Sequence, residues 1–264
     1  MILRDHVAIV TGGSKGIGKA CALKLASEGA NIVIAARNEL EGAKAAKEIE
    51  AKGVEVLFVK ADISKIEDVE SMVEKVLKQF KRIEILVNNA GNASMPSIVC
   101  DMPYEDWHSV IDVNLHGAFY CLKNVAKVMR DRKYGRIINI SSMGASFGYN
   151  LMANYTSAKI GVLGLTLNAA KELGKFGITV NAIQPGVIRT DITVGFTKYE
   201  HEIALKSPIP RMGEPDDVAN TVLFLASPST SFVTGAIIKV DGGYPLRVAP
   251  EDIAEALLKE MGIS

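Results

Sequence analysis

Short apolar runs rich in Val and Ile alternate with helix-length stretches along most of this chain, and that alternation leaves few folds open. "HVAIV" (6–10) reads as a buried strand, and Gly16 to Gly29 has helical periodicity. "NIVIAA" is a second strand, followed by the charged helix "NELEGAKAAKEIEAKG". "VEVLFVKAD" and "IEILVNNAG" are further strands around the helical "SKIEDVESMVEKVLKQF". A long helix is expected from Trp107 to Arg132, then the strands "GRIINISS", "ITVNAIQPG" and "AIIKVDGG" with helices between. Such strands cannot hide their apolar side chains in a one-sided sheet, so the pattern predicts an α/β fold, a parallel sheet covered by helices on both faces. No repeat, low-complexity segment or linker divides the chain, and one domain over residues 1–264 is the expectation. The stretch 190–215, with "SPIPRMGEP", breaks the alternation and reads as a substrate lid. In the tail 245–264, "PEDIAEALLKEMG" reads as a short amphipathic helix that covers apolar surface.

Lys plus Arg and Asp plus Glu number 30 each. Without an excess of positive charge, nucleic acid and anionic membrane surfaces are poor partners. Cys21, Cys100 and Cys121 are scattered, which suits free thiols in a reducing compartment. His6, His108, His116 and His201 show no ligand spacing, so no metal site is expected. The first strand starts too early for a signal peptide, and no apolar run approaches the ~20 residues of a membrane span. The expected location is the cytoplasm.

The first strand leads into "TGGSKGIGKA", Thr11 to Ala20. As a phosphate loop of an NTPase, Gly13, Gly18 and Lys19 fit, but Ala20 stands where a hydroxyl should ligate Mg²⁺. As a dinucleotide turn, Gly12, Gly16 and Gly18 allow the tight bend, and the following helix offers its N–H groups to a pyrophosphate. A plain strand-to-helix turn also remains open at this point.

Further along come "NNAG" (Asn88 to Gly91), Asn114, "NISS" ending at Ser142, "NYTSAKIG" with Tyr155 and Lys159, and "PGVIRT" from Pro185 to Thr190. In this order and spacing, from about Asp5 to Tyr244, the chain resembles the short-chain dehydrogenase/reductase family. The resemblance implies a single-domain Rossmann-like, doubly wound sheet of about seven parallel strands. It implies Asn114, Ser142, Tyr155 and Lys159 as the catalytic tetrad. It assigns cofactor contacts to the glycine loop (Gly12, Ser14, Lys15, Gly16, Ile17, Gly18), Asp62, Asn88, Ile188 and Thr190, besides Tyr155 and Lys159. Asp62 also reads as a helix cap before "ISKIEDVE". Family members are commonly tetramers, and the small residues along "SAKIGVLGLT" would let two such helices approach closely. A homotetramer is therefore expected.

Reducing a ketone needs a hydride at carbon, which nicotinamide supplies, and a proton at oxygen. Tyrosine titrates near 10 and needs its pKa brought toward the working pH to serve as the acid. Lys159, one helical turn on, is expected to favour the phenolate and so lower that pKa. Ser142 would hydrogen-bond the carbonyl oxygen, and Asn114, by family analogy, would hold a water that relays protons. NAD is usually recognised by an acidic residue at the end of the second strand. Here that strand ends "NIVIAARN", with Ala36 in the acidic position, Arg37 next to it and Lys15 in the glycine loop, which points to NADP(H).

The leading reading is an NADP(H)-dependent reductase of a ketone or dehydrogenase of a secondary alcohol, a small-molecule substrate. "RMGEPDDVA" and "TGAIIKVDGG" resemble the 3-oxoacyl-thioester reductase branch. Acyl-carrier-protein reductases usually carry a basic residue just before the glycine matching Gly177, where this chain has Phe176 after Lys175. The alternatives are a non-catalytic dinucleotide-binding sensor or scaffold on the same fold, which predicts a broken tetrad, and the phosphate-loop hydrolase that Ala20 disfavours. Phe147, Tyr149, Met152, Phe196 and Tyr199 are expected to line the substrate pocket.

Overall fold

In β1 (Val7–Thr11), Val7 and Ile9 bury against one face of the sheet, and Ala8 and Val10 against the other. This is the period-two exposure of a strand, applied where both sides are dry. The same holds for β2 (Asn31–Ala36), β4 (Ile85–Asn88), β5 (Gly135–Ile140) and β6 (Ile178–Pro185). Edge strands β3 (Val56–Lys60) and β7 (Ile237–Val240) are only partly covered. The computed structural model describes residues 1–205 and 207–244, except the side chains of Ile192, Phe196, Thr197, Glu202, Ala204 and Leu205. The tail 245–264, with its expected amphipathic helix, lies outside the described residues.

The seven strands form one parallel sheet in the order β3-β2-β1-β4-β5-β6-β7. From β1 the chain first winds outward to β3 and then crosses back to β4. The loops after β1 and β4 therefore part company and leave a crevice at the carboxyl ends of the strands.

On one face pack α1 (Gly16–Ser27), α2 (Glu39–Glu50) and α9 (Pro215–Ala226), through Cys21, Leu25, Ile49, Val218 and Val222 against Ile34, Ile85 and Ile183. On the other pack α3 (Ile66–Phe80), α5 (Gly117–Arg132) and α7 (Ala153–Leu173), through Met72, Val76, Val125, Met129 and Ala169 against Val33, Leu86 and Val180. Helix α1 stops at Ser27, short of the expected Gly29, because Gly29 takes a left-handed φ of 91°.

The helix expected from Trp107 to Arg132 starts earlier, with α4 (Tyr104–Ile111), and is not regular. A π-helical turn, Asp112–His116, joins α4 to α5. Such turns add a residue that re-aims a side chain, and they recur at functional sites. This one carries the buried Asn114. Short helices α6 (Gly144–Phe147) and α8 (Glu200–Leu205) complete the set, with a 3₁₀ stretch at Asp191–Tyr199 within the segment expected as a lid. No helix among the described residues is long and apolar enough to cross a membrane.

Candidate active site

The crevice is a cleft of about 940 Å³ that runs from the end of β2 to the start of α7. Gly12 and Gly16 turn the chain into it with φ of 64° and 53°. Ser14, Lys15, Gly16 and Ile17 line it. The N-cap of α1 makes no side-chain hydrogen bond, so the first N–H groups of that helix stay available to a ligand. Gly18 does not line the cleft. A Cβ there would stand 2.3 Å from the Gly12 carbonyl oxygen and 2.4 Å from Asn89 Nδ2, so its glycine lets α1 lie close against the loop. Lys19, which a phosphate-loop hydrolase would aim at its nucleotide, instead pairs with Glu48 of α2.

Asn88 is placed differently from the cofactor contact expected of it. Its side chain is buried in the sheet, where Nδ2 donates to Asn139 Oδ1 (2.9 Å) and the Ala118 carbonyl (3.2 Å). The neighbouring Asn89 lines the cleft and holds its wall, donating from Nδ2 to the carbonyls of Thr11 (3.0 Å) and Gly12 (3.3 Å). Thr11 Oγ1 in turn accepts the N–H groups of Asn89 and Ala90. The signal for Asn89 is its position as the first residue beyond β4.

Ala36, Arg37, Asn38 and Glu41 border the far end of the cleft. Lys15 reaches over them, 4.0 Å from Glu41 and 3.7 Å from Asp191, both exposed pairs of small value (~0–1 kcal/mol each). Asp62 lines the cleft and also closes the turn before α3, as Oδ1 accepts from Ser64 N (3.1 Å) and Oγ (2.7 Å). Burial pushes its pKa up, but those bonds and the charges of Arg37 and Lys65 carry it below the usual value. The cap of α3 itself is Lys65. Ile188, Thr190, Asp191 and Thr193 line the opposite wall, with Thr190 N donating to Thr193 Oγ1 at 2.9 Å. Thr193 had no signal beyond its place in the irregular segment.

At the floor, β5 delivers Ser142, α7 delivers Tyr155 and Lys159, and the π turn delivers Asn114. In the first turn of α7, Asn154 Oδ1 accepts the Tyr155 N–H (2.8 Å) while Nδ2 donates to Ser94 Oγ and the Asp106 carbonyl. Lys159 is 4% exposed, donates from Nζ to the Ile140 carbonyl at 3.0 Å, and lies 5.6 Å from the Tyr155 ring centroid. Asn114 Nδ2 reaches the carbonyls of Asn92 and Val110 at 2.9 Å each, but Asn114 Oδ1 is buried without a partner. A Cβ added at Gly91 would stand 2.6 Å from that oxygen and 3.5 Å from Lys159 Nζ, so the two groups flank one spot.

Burial raises the Tyr155 phenol above its ordinary value, opposed only by a hydrogen bond to Ser142. Burial also drives Lys159 down to about 8. The same dry floor penalises both charged forms, so the phenol stays protonated until an ammonium beside it stabilises the phenolate. Of the residues expected to line a substrate pocket, Tyr149 and Met152 do so. Phe147 and Tyr199 are half-exposed outside it, and the Phe196 side chain lies outside the described residues.

A family model described as "Enoyl-(Acyl carrier protein) reductase" matches residues 12–245. A 3-oxoacyl-(acyl-carrier-protein) reductase of Synechocystis sp. is 43% identical over 243 residues, 91% of this chain and 97% of that protein. A short-chain type dehydrogenase/reductase from Mycobacterium ulcerans superposes with a TM-score of 0.90 at 35% identity, over 98% of this chain and 96% of its own. NAD⁺-bound xylitol dehydrogenase superposes with a TM-score of 0.87 at 32% identity, over 92% and 100%. The likeness spans sheet, glycine loop and floor alike, and the chain belongs to the short-chain dehydrogenase/reductase family, in its 3-oxoacyl-reductase-like branch, as an oxidoreductase acting between an alcohol and a carbonyl.

Proposed function

We propose that the protein uses NADPH to reduce the ketone of a 3-oxoacyl thioester. The observation that carries this is the meeting of Ser142, Tyr155 and Lys159 at the floor of the cleft whose other end is the glycine loop. The open N–H groups of α1 would hold a pyrophosphate, Asp62 the adenosine end, and Ile188 and Thr190, with Tyr155 and Lys159, the nicotinamide end. The bound dinucleotide supplies the hydride. Ser142 donates a hydrogen bond to the ketone oxygen and stabilises the negative charge that develops there. Tyr155, its pKa raised, is fully protonated near neutrality and transfers its phenolic proton to that oxygen. The Lys159 ammonium steadies the phenolate left behind. The unpartnered Asn114 Oδ1 suits a water that hands a proton back through Lys159.

The thioester class rests on the named relative. At the position where carrier-protein reductases carry a basic residue this chain has Phe176, with Lys175 Nζ 5.2 Å from its ring centroid, so the thioester reading does not extend to a carrier protein. Following NADPH loss with a 3-oxoacyl thioester beside a panel of plain cyclic and aromatic ketones tests this. Turnover confined to the plain ketones overturns the substrate class.

The cofactor reading rests on Ala36, Arg37 and Lys15. Lys15 is held only by weak exposed pairs and is free to turn to a 2′-phosphate. One charged hydrogen bond contributes roughly 1.5–3 kcal/mol, so a preference for NADPH of at least ~10-fold is expected. Ala36→Asp is expected to reverse it, because a carboxylate repels the phosphate and accepts from the ribose hydroxyl of NADH. Comparing kcat/KM for both cofactors in wild type and variant checks this, and a wild type that uses NADH equally well overturns it.

The assembly reading rests on helix α7. Ile160, Gly164 and Leu167 share one helix face; the two large side chains are half-exposed, and a Cβ at Gly164 would meet nothing within 4 Å. Phe119 of α5 is likewise exposed. We read this face as a contact between copies in a homotetramer. Leu167→Glu is expected to split the assembly in light scattering, and a wild type that is already monomeric at micromolar concentration overturns the reading.

A further inference from the structure

Strand β5 meets α7 through one of its two faces, and that face changes character along its length. Ile137 packs into the apolar layer that holds Val125 and Ala169. Asn139 and Ser141, the next two positions on the same side, are buried but polar. Both find their partners on α7. Asn139 Nδ2 donates to Thr166 Oγ1 (2.9 Å), and Ser141 Oγ donates to the Lys159 carbonyl (2.9 Å). Lys159 and Thr166 stand two turns apart on one face of that helix. We propose that Ser141 is a positioning residue, whose bond to the Lys159 main chain fixes where the ammonium stands relative to Tyr155 and Ser142. This rests on the roles given to those three residues above.

Lys159 is thereby held at both ends. Its carbonyl accepts the Ser141 hydroxyl, and its Nζ donates to the Ile140 carbonyl at 3.0 Å. Ile140, Ser141 and Ser142 are consecutive, so the strand end that delivers Ser142 also fixes the origin and the tip of the lysine. Ser141 is itself anchored, since its N–H donates to the Ile183 carbonyl of β6 at 2.8 Å. A lysine side chain is a point charge on a flexible stem, and its tip is placed only as well as the main chain it springs from. Catalytic groups have to be held within about 0.5 Å of their productive geometry.

Packing alone does not call for the hydroxyl. The Lys159 carbonyl lies inside α7, where the helix ladder already supplies it with an N–H from the next turn. A serine buried here is less favourable than an alanine unless its hydroxyl is bonded. What the extra bond adds is a fixed separation of helix and strand at the residue whose charge the reaction uses. The Asn139–Thr166 bond offers a comparison within the same pair of elements. It is equally buried, Thr166 Oγ1 passes its own proton to the Val162 carbonyl (2.8 Å), and Thr166 does not line the cleft.

The test sets Ser141→Ala beside Thr166→Val, each with whichever nicotinamide and ketone the wild type turns over fastest and with active sites counted by dinucleotide titration. Ser141→Ala is expected to lower kcat about tenfold, with KM and dinucleotide affinity unchanged. Its solvent deuterium isotope effect on kcat is expected to rise, because proton transfer then limits more of the turnover. Thr166→Val is expected to lower Tm while kcat stays within about twofold of wild type and the isotope effect does not move. Unchanged kcat or an unchanged isotope effect in Ser141→Ala overturns the proposal. An equal loss of kcat in Thr166→Val also overturns it, since that marks a general loosening of α7. Weaker dinucleotide binding in Ser141→Ala would make the serine a cofactor contact, and failure of that variant to fold would make its bond a structural one; either result overturns the proposal. Full turnover in Lys159→Met overturns the role of the lysine and this inference with it, whereas the other outcomes leave that role standing.

Discussion

Tyr155→Phe is expected to bind dinucleotide as wild type does and to lose turnover by ~10²-fold or more, the usual contribution of a positioned proton donor. The substitution removes one oxygen and keeps the ring, so the packing of α7 against the floor survives. Burial holds the Tyr155 phenol above its ordinary pKa. It is therefore a protonated donor across the neutral range, and what makes it transfer is the charge that appears on the ketone oxygen. Residual activity in the variant is expected to come from orientation and from Ser142, which still polarises the carbonyl. Single-turnover rates at saturating dinucleotide, beside the dinucleotide dissociation constant, separate the two effects. Near wild-type turnover would remove Tyr155 from the acid role, and a loss confined to affinity would make it a binding residue only.

The features legible in the amino-acid sequence are those that local pattern dictates. Val7 and Ile9 facing one way, with Ala8 and Val10 facing the other, are readable because both sets are apolar, which only a sheet covered on both sides allows. The glycine loop is readable because Gly12 and Gly16 occupy left-handed backbone that other residues adopt at a cost. The π turn is not readable. "DVNLH" has ordinary helical composition, and what matters is that an extra residue in the turn swings Asn114 beneath Gly91. Asn88 and Asn89 are the same residue type one position apart, so the side each faces depends on where β4 stops. The pKa balance of Tyr155 and Lys159 escapes the sequence for a different reason. Spacing on a helix reports that they are near each other, but not that β5, the π turn and α7 close over both and remove the water that would solvate their charged forms.

That missing water gives the second large effect, expected on replacing Lys159 by Met. The ammonium is 4% exposed and keeps one hydrogen bond, to the Ile140 carbonyl. Its pKa falls from 10.5 to about 8 on burial. At about 1.4 kcal/mol per unit, holding that charge in the folded state costs about 3 kcal/mol at neutral pH. Met fills similar space without a charge, and losing the bond to Ile140 returns about 1 kcal/mol, leaving the variant roughly 2 kcal/mol more stable. In a chain of this size that is a rise of roughly 4–8 °C in Tm. The pH dependence has a definite sign. Below the folded pKa near 8, native and unfolded wild type both carry the proton and the penalty is complete. Between about 8 and 10.5 only the unfolded chain still binds it, so wild-type stability climbs by the whole penalty, and above 10.5 wild type is the stabler by the roughly 1 kcal/mol of the Ile140 bond. Turnover is expected to fall by ~10²-fold or more in the same variant, because the phenolate has lost its neighbouring charge and its route back to water. Thermal unfolding of both proteins without dinucleotide, at a series of pH values, measures the first effect, and kcat measures the second. A variant less stable than wild type at neutral pH would mean that the floor solvates its ammonium well; one equally stable at every pH would mean that the charge is not confined there at all. A stabler, inactive Lys159→Met is what a site that trades folding free energy for a charge beside its proton donor requires.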